Sequence, residues 1–157
     1  MEYLPGTIGV IYPTFEEYPN RCNKQEVVVY IPSNPDFSYR ASDVMSYYSD
    51  KKIDSLLIVN PDNPSGNFIP YTELLSLCEW AGFRSIRLIV DESFVDFAED
   101  GLNSSLLYNE ILEQYPHLVV MKSISKSYGV PGLRLGYWQV PISRWSLSSK
   151  RMFPFGT

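Results

Sequence analysis

The sequence has little of what most simple catalytic or binding schemes require. It carries one histidine, His117, and two cysteines, Cys22 and Cys78, in 157 residues. A single histidine argues against Ser-His-Asp chemistry and against histidine-rich zinc sites. Two cysteines without metal spacing make no disulfide framework and read as reduced thiols of a cytoplasmic protein. There is no run of basic residues, and the net charge is −5. Binding to a phosphate backbone needs clustered Lys and Arg, so no nucleic-acid partner is expected. Apolar runs are short: Ile86 to Val90 is already broken by Arg87. No segment is long enough to cross a membrane as a helix. The opening residues, Met1 to Gly6, lack the basic and apolar regions of a secretion signal. No internal repeat or low-complexity stretch is found.

What is present is a globular balance of 45% apolar and 20% charged residues, in a chain of ordinary domain size. Five short runs are nearly continuous in apolar residues: Ile8 to Tyr12, Val27 to Ile31, Ser55 to Val59, Arg87 to Val90 and Leu118 to Met121. Runs that do not alternate mark strands covered on both faces, as in a parallel sheet. Helices are expected between them, over Phe15 to Cys22, Ala41 to Ser49, Pro70 to Phe83 and Leu102 to Tyr115. The third is the clearest. Leu74, Leu75, Leu77, Cys78 and Ala81 recur at helical spacing, and Gly82 is expected to close it. Strands alternating with helices predict an α/β fold: a three-layer, doubly wound, mostly parallel sheet. Ligands of such sheets gather at the carboxyl ends of the strands.

Three strand ends carry polar signals. Ser55 to Val59 runs into Asn60-Pro61-Asp62-Asn63-Pro64-Ser65-Gly66, a rigid turn that could be no more than a loop. Leu88-Ile89-Val90 ends in Asp91-Glu92-Ser93-Phe94, where an acid could simply cap a helix. Leu118 to Met121 leads into Lys122-Ser123-Ile124-Ser125-Lys126-Ser127-Tyr128-Gly129. Singly, each has a bland explanation. Together, one helix-strand unit apart, they predict that Asn63, Asp91 and Lys126 meet at one sheet edge.

In this order the motifs Asn-Pro-x-Asn-Pro-x-Gly, Asp-Glu-x-Phe and Ser-x-Ser-Lys, with Arg134 eight residues beyond Lys126, resemble the class I/II aminotransferases of fold type I. The branch they resemble holds histidinol-phosphate aminotransferase and threonine-phosphate decarboxylase. The stretch Tyr12-Pro13-Thr14-Phe15-Glu16-Glu17-Tyr18 is similar to that branch as well. The resemblance implies pyridoxal 5'-phosphate (PLP) as cofactor. It implies that Lys126 bonds the cofactor through its amine and moves the substrate proton, and that Asp91 faces the pyridine nitrogen. It implies that Asn63 donates to the ring's phenolic oxygen, and that Ser123, Ser125 and Arg134 hold the phosphate. Glu92 and Ser127 are expected to be structural.

The same resemblance implies a partial PLP-binding large domain over 1–137, a tail over 138–157 that is irregular as a shifted reading frame would leave it, and an absent small domain. The glycine-containing phosphate loop and the ring-stacking aromatic would lie upstream of this segment, so the chain alone is expected to be inactive. Phe94 stands where many members have a tyrosine that also bonds the phenolic oxygen. The activity implied is amino-group transfer from an amino acid or amino-acid phosphate to a 2-oxo acid. Phe94 favours decarboxylation of a phosphorylated amino acid as the alternative. A third reading is a non-catalytic folded remnant. Apolar surface left by missing segments predicts a homodimer or other self-association.

Overall fold

The computed structural model describes residues 6–15, 18, 27–98, 101–123, 129, 135–139 and 153–154. Its strands are β1 (Ile8–Ile11), β2 (Val27–Tyr30), β3 (Ser55–Val59), β4 (Arg87–Asp91), β5 (Leu118–Ser123), β6 (Leu135–Gln139) and β7 (Phe153–Pro154). Its α-helices are α1 (Ala41–Tyr48), α2 (Tyr71–Phe83) and α3 (Asn109–Gln114). The strands form one sheet in the order β2-β1-β3-β4-β5-β6-β7. The first five run parallel, and β6 pairs antiparallel with β5. The α/β, mostly parallel sheet expected from the apolar runs is therefore present. No helix among the described residues is long and apolar enough to cross a membrane.

The central strands are buried on both sides because successive residues point to opposite faces. Ile11, Leu56, Ile58, Leu88, Val90, Leu118 and Val120 pack with Val44, Tyr48, Leu74, Leu77, Ala81 and Leu112 of the three helices. The alternate residues Ile8, Val10, Leu57, Val59 and Ile89 form a second cluster with Tyr18 on the other face. Each fully buried aliphatic side chain contributes on the order of 1.5–3 kcal/mol. Helix α1 comes close to the sheet at Gly9, where an added Cβ would lie 2.8 Å from the Tyr48 ring. That approach lets the Tyr48 hydroxyl donate to the carbonyls of Val10 at 2.8 Å and Val28 at 3.0 Å.

Several elements differ from the sequence expectation. Gly82 lies inside α2 and makes room for the His117 ring, which would be 2.7 Å from a Cβ there. The turn after α2 is instead made by Ser85 at φ +57°. Leu102 to Tyr115 is not one helix: a 3-10 turn over Gly101–Ser104 is followed by a stretch without regular structure, and α3 begins only at Asn109. The reason is local. The Ser105 hydroxyl and the Leu106 N–H donate to the buried Glu92 carboxylate, at 2.6 and 2.7 Å. A backbone N–H committed to a side chain is lost to a helical ladder. Strand structure also continues past residue 137 to Gln139 and returns at Phe153–Pro154, so the tail is not wholly irregular. Backbone pairing to β5 and β6 supplies there the order that no side-chain period announces. Of the helix expected over Phe15 to Cys22, only Phe15 and Tyr18 fall within the described residues.

Candidate active site

The sheet register brings three strand ends level. Val59 pairs with Asp91, and Asp91 with Met121. Pairing runs one step further, with Asn60 N–H donating to the Asp91 carbonyl at 2.9 Å and Glu92 N–H to the Met121 carbonyl at 2.8 Å. Alternation then separates two adjacent acids. Asp91 continues the face of Ile89, and Glu92 continues the helix-covered face of Val90.

Asp91 is buried, at 8% exposure. Its Oδ1 accepts from the backbone N–H of Ser93 at 2.9 Å and from the Ser93 hydroxyl. Its Oδ2 accepts from the Tyr18 hydroxyl. The Ser93 oxygen in turn accepts from the N–H of Ser123 at 3.0 Å. One chain of hydrogen bonds thus joins the segment after β1, the end of β4 and the end of β5. Burial first, then the charge of Asp91, push the Tyr18 phenol well above the usual tyrosine range. It is held as a neutral donor. A carboxylate offers about four lone-pair positions; among the described residues three donors reach Asp91, two on Oδ1 and one on Oδ2.

Glu92 is buried more deeply, at 1% exposure, and both of its oxygens are turned to the Ser105–Leu106 backbone and hydroxyl. Burial is the largest influence on it and raises its carboxyl above the usual glutamate range. The structural role expected of Glu92 is what its contacts describe. Lys122, also buried, pairs with Asp96 at 2.5 Å and fixes the turn Val95–Phe97 beside the site.

The loop after β3 is braced from within. The Asn60 amide donates to the Ile69 carbonyl at 3.0 Å and its oxygen accepts from the Ile69 N–H at 2.7 Å. The Asp62 N–H bonds the Asn67 carbonyl at 2.8 Å, and the Ser65 hydroxyl donates to Asp62. This bracing presents Asn63 at the rim of a cavity of about 230 Å³ that it shares with Asp62, Phe94 and Phe97.

Of the residues singled out from the sequence, Asn63, Asp91 and Ser123 are described, and all three stand at the carboxyl ends of neighbouring parallel strands. Ser125, Lys126 and Arg134 lie outside the described residues, as does Ser127. Two aromatics were missed. Tyr18 bonds Asp91 directly. Phe15 packs edge-on against Tyr18 with ring centroids 5.9 Å apart, and is 39% exposed at the same edge. The available signal is the spacing Phe-x-x-Tyr after the first strand, within the segment expected to be a helix and similar to a family branch.

With this geometry in hand, the comparisons with known proteins agree with it. The family model described as aminotransferase class I and II matches residues 5–146, and the chain belongs to that family. It is similar to L-serine phosphate decarboxylase of Sulfurospirillum multivorans, 33% identical over 83% of this chain and 34% of the relative. It is 32% identical to the histidinol-phosphate aminotransferase of Haloquadratum walsbyi, over 88% of this chain and 36% of the relative. Among solved structures, the histidinol-phosphate aminotransferase of Clostridium acetobutylicum superposes with a TM-score of 0.73 at 27% identity, covering 86% of this chain and 39% of that one. The chain spans about a third of the length of the curated relatives it matches.

Proposed function

We propose that this chain forms part of a PLP-dependent aminotransferase, which moves an amino group from an amino acid or amino-acid phosphate to a 2-oxo acid. One observation carries the proposal: the buried carboxylate of Asp91, held at a strand end by three neutral donors, two on Oδ1 and one on Oδ2. That acceptor suits the N–H of a pyridinium ring. PLP, when bound, supplies an electron sink for bonds broken at the substrate α-carbon. Asp91 holds the proton on the ring nitrogen. Asn63, at the rim beside Phe94, donates its amide to the phenolic oxygen. Ser123, Ser125 and Arg134 grip the phosphate, Arg134 as the charged and forked donor. The Lys126 amine attaches the cofactor and carries the substrate proton. Phe15 offers an aromatic ring at the same edge. In this reading residues 1–137 belong to a large domain, and the parent enzyme is a cytoplasmic homodimer.

Purified chain titrated with PLP tests the assignment. A visible absorbance band from lysine-bound cofactor is expected, and it should vanish in Lys126→Ala. A band that persists in Lys126→Ala removes Lys126 from the site.

A second reading, decarboxylation of a phosphorylated amino acid, is favoured by Phe94 and by similarity to L-serine phosphate decarboxylase. O-phosphoserine distinguishes the two in an enzyme completed to full length. Amino transfer yields a 2-oxo product and needs an acceptor, whereas decarboxylation releases carbon dioxide without one. A third reading, a folded remnant that only self-associates, predicts no PLP binding at any concentration tested.

A further inference from the structure

We propose that Tyr18 is the positioning residue of Asp91: its phenol anchors Oδ2, so that the carboxylate keeps its aim at the cofactor's ring nitrogen and the shared proton stays on nitrogen. This rests on the reading of Asp91 given above.

Three observations support it. Tyr18 is 73 residues away from Asp91 in sequence, yet its hydroxyl meets Oδ2. The contact is therefore made by the fold and not by local turn geometry, unlike the Ser93 bonds to Oδ1. Second, the Tyr18 ring is held independently of that bond. It is 7% exposed, packed with Ile8, Val10, Leu57, Val59 and Ile89 and flanked by Phe15. A hydroxyl on a fixed ring is an anchor; one on a free ring would follow the carboxylate. Third, the two oxygens are held from different elements, so the carboxylate cannot turn about its Cβ–Cγ bond without losing a donor.

The chemical consequence concerns the proton between Asp91 and the ring. Hydrogen bonds to a carboxylate favour its charged form. Each neutral donor makes Asp91 a poorer base towards the pyridinium, and the ring keeps its positive charge. Phenylalanine at position 18 would keep the packing and remove this donor alone.

The test is a double-mutant cycle on PLP affinity with the purified chain, over the unaltered protein, Tyr18→Phe, Asp91→Ala and the double variant, with dissociation constants from equilibrium dialysis. Tyr18→Phe should weaken binding about tenfold, the scale of one hydrogen bond to a charged group. In the Asp91→Ala background the same change should alter affinity less than about twofold. PLP labelled with 15N in the ring gives a signature that packing does not move. Its resonance should shift from the pyridinium towards the neutral pyridine position in Tyr18→Phe. Equal losses in both backgrounds, or an unmoved ring resonance, overturn the inference while leaving Asp91 in place. Asp91→Ala binding PLP like the unaltered chain would overturn the reading of Asp91, and the inference with it. Should Tyr18→Phe fail to fold, 3-fluorotyrosine in place of Tyr18 keeps the ring and makes a stronger donor. The ring resonance should then move further towards pyridinium, and no movement overturns the proposal.

Discussion

Asp91 and Glu92 carry the same functional group and follow one another at the end of one strand, yet strand alternation sends them to opposite faces of the sheet. Glu92 enters the face covered by α1, α2 and α3, and both of its oxygens close on the Ser105–Leu106 segment. Asp91 enters the other face and is tied to Tyr18 and Ser93 at the edge where the polar strand ends gather. A carboxylate sealed beneath the helices and tied to a neighbouring loop holds a fold together. One at the sheet edge where polar strand ends gather stands where ligands of such sheets bind. The difference lies not in residue type or in burial, since both are buried, but in the face each acid enters and the segments that hold it.

The largest effect expected from this contrast is on stability. Glu92→Ala leaves the Ser105 hydroxyl and the Leu106 N–H without their acceptor, and each buried unsatisfied group costs about 1–3 kcal/mol. A loss of about 3 kcal/mol in urea unfolding is expected. Asp91→Ala leaves three buried donors, two of Ser93 and one of Tyr18, without their acceptor and should cost about as much; what sets it apart is the loss of PLP binding, which Glu92→Ala should retain. Equal PLP affinity in the two variants would dissolve the distinction.

The helix-covered face should also be the less forgiving to added volume. Gly9→Ala drives a methyl towards the Tyr48 ring, 2.8 Å away. Tyr48 is fully buried and bonded to two carbonyls, so it has little freedom to yield. A cost of about 2 kcal/mol is expected, the range of overpacked cores, measured as a shift in urea midpoint at constant slope. A neutral Gly9→Ala would mean that α1 is loosely seated.

The acids also differ in what sequence alone could show. That Asp91 closes a strand beside two other polar strand ends was legible, because the apolar runs are short and their order gives the sheet. The shared level of Asn63 and Asp91 follows from the same pattern, whereas the antiparallel step to β6 does not. The role of Glu92 could be named only as structural. Its effect on the backbone was hidden: Leu102 to Tyr115 has helical apolar spacing, and nothing in that segment says that Ser105 and Leu106 are claimed by an acid on another strand. Tyr18 was hidden for the same reason. A contact over 73 residues leaves no local period, and the tyrosine reads as part of a helix or a family motif. Likewise nothing in the local spacing announces that Phe15 packs edge-on against Tyr18.

A smaller effect concerns pH. Burial raises the Glu92 carboxyl above the usual glutamate range, with the Ser105 and Leu106 bonds and the Lys122 charge opposing and the Asp91 charge adding. The folded state therefore keeps this proton to higher pH than the unfolded chain does. From about pH 4.3, the unfolded value, up to the folded value, the folded state binds more protons, so this group makes stability fall as pH rises. Glu92→Gln cannot ionise, and its amide can accept from Leu106 while donating to Ser105. Relative to the unaltered chain, its stability should rise with pH through that window and then level off. A constant difference at all pH values would show that Glu92 does not titrate across folding.

The smallest effect should come from Phe94→Tyr. Phe94 is half-buried at the cavity that Asn63 lines, its ring 6.4 Å from that of Phe97. A hydroxyl added at that rim points a second neutral donor into the region where Asn63 is proposed to meet the ring oxygen. Because the position borders open space, no core methyl is displaced, and stability should change by less than about 0.5 kcal/mol. One neutral hydrogen bond is worth about 0.5–1.5 kcal/mol, so PLP should bind about two- to tenfold more tightly. The gain should disappear in Asn63→Ala if both groups act on one oxygen, and persist if they act apart. Weaker binding in Phe94→Tyr would mean that the phenyl ring itself contacts the cofactor or substrate. The site's selectivity would then lie in an apolar wall at Phe94 and not in a missing donor.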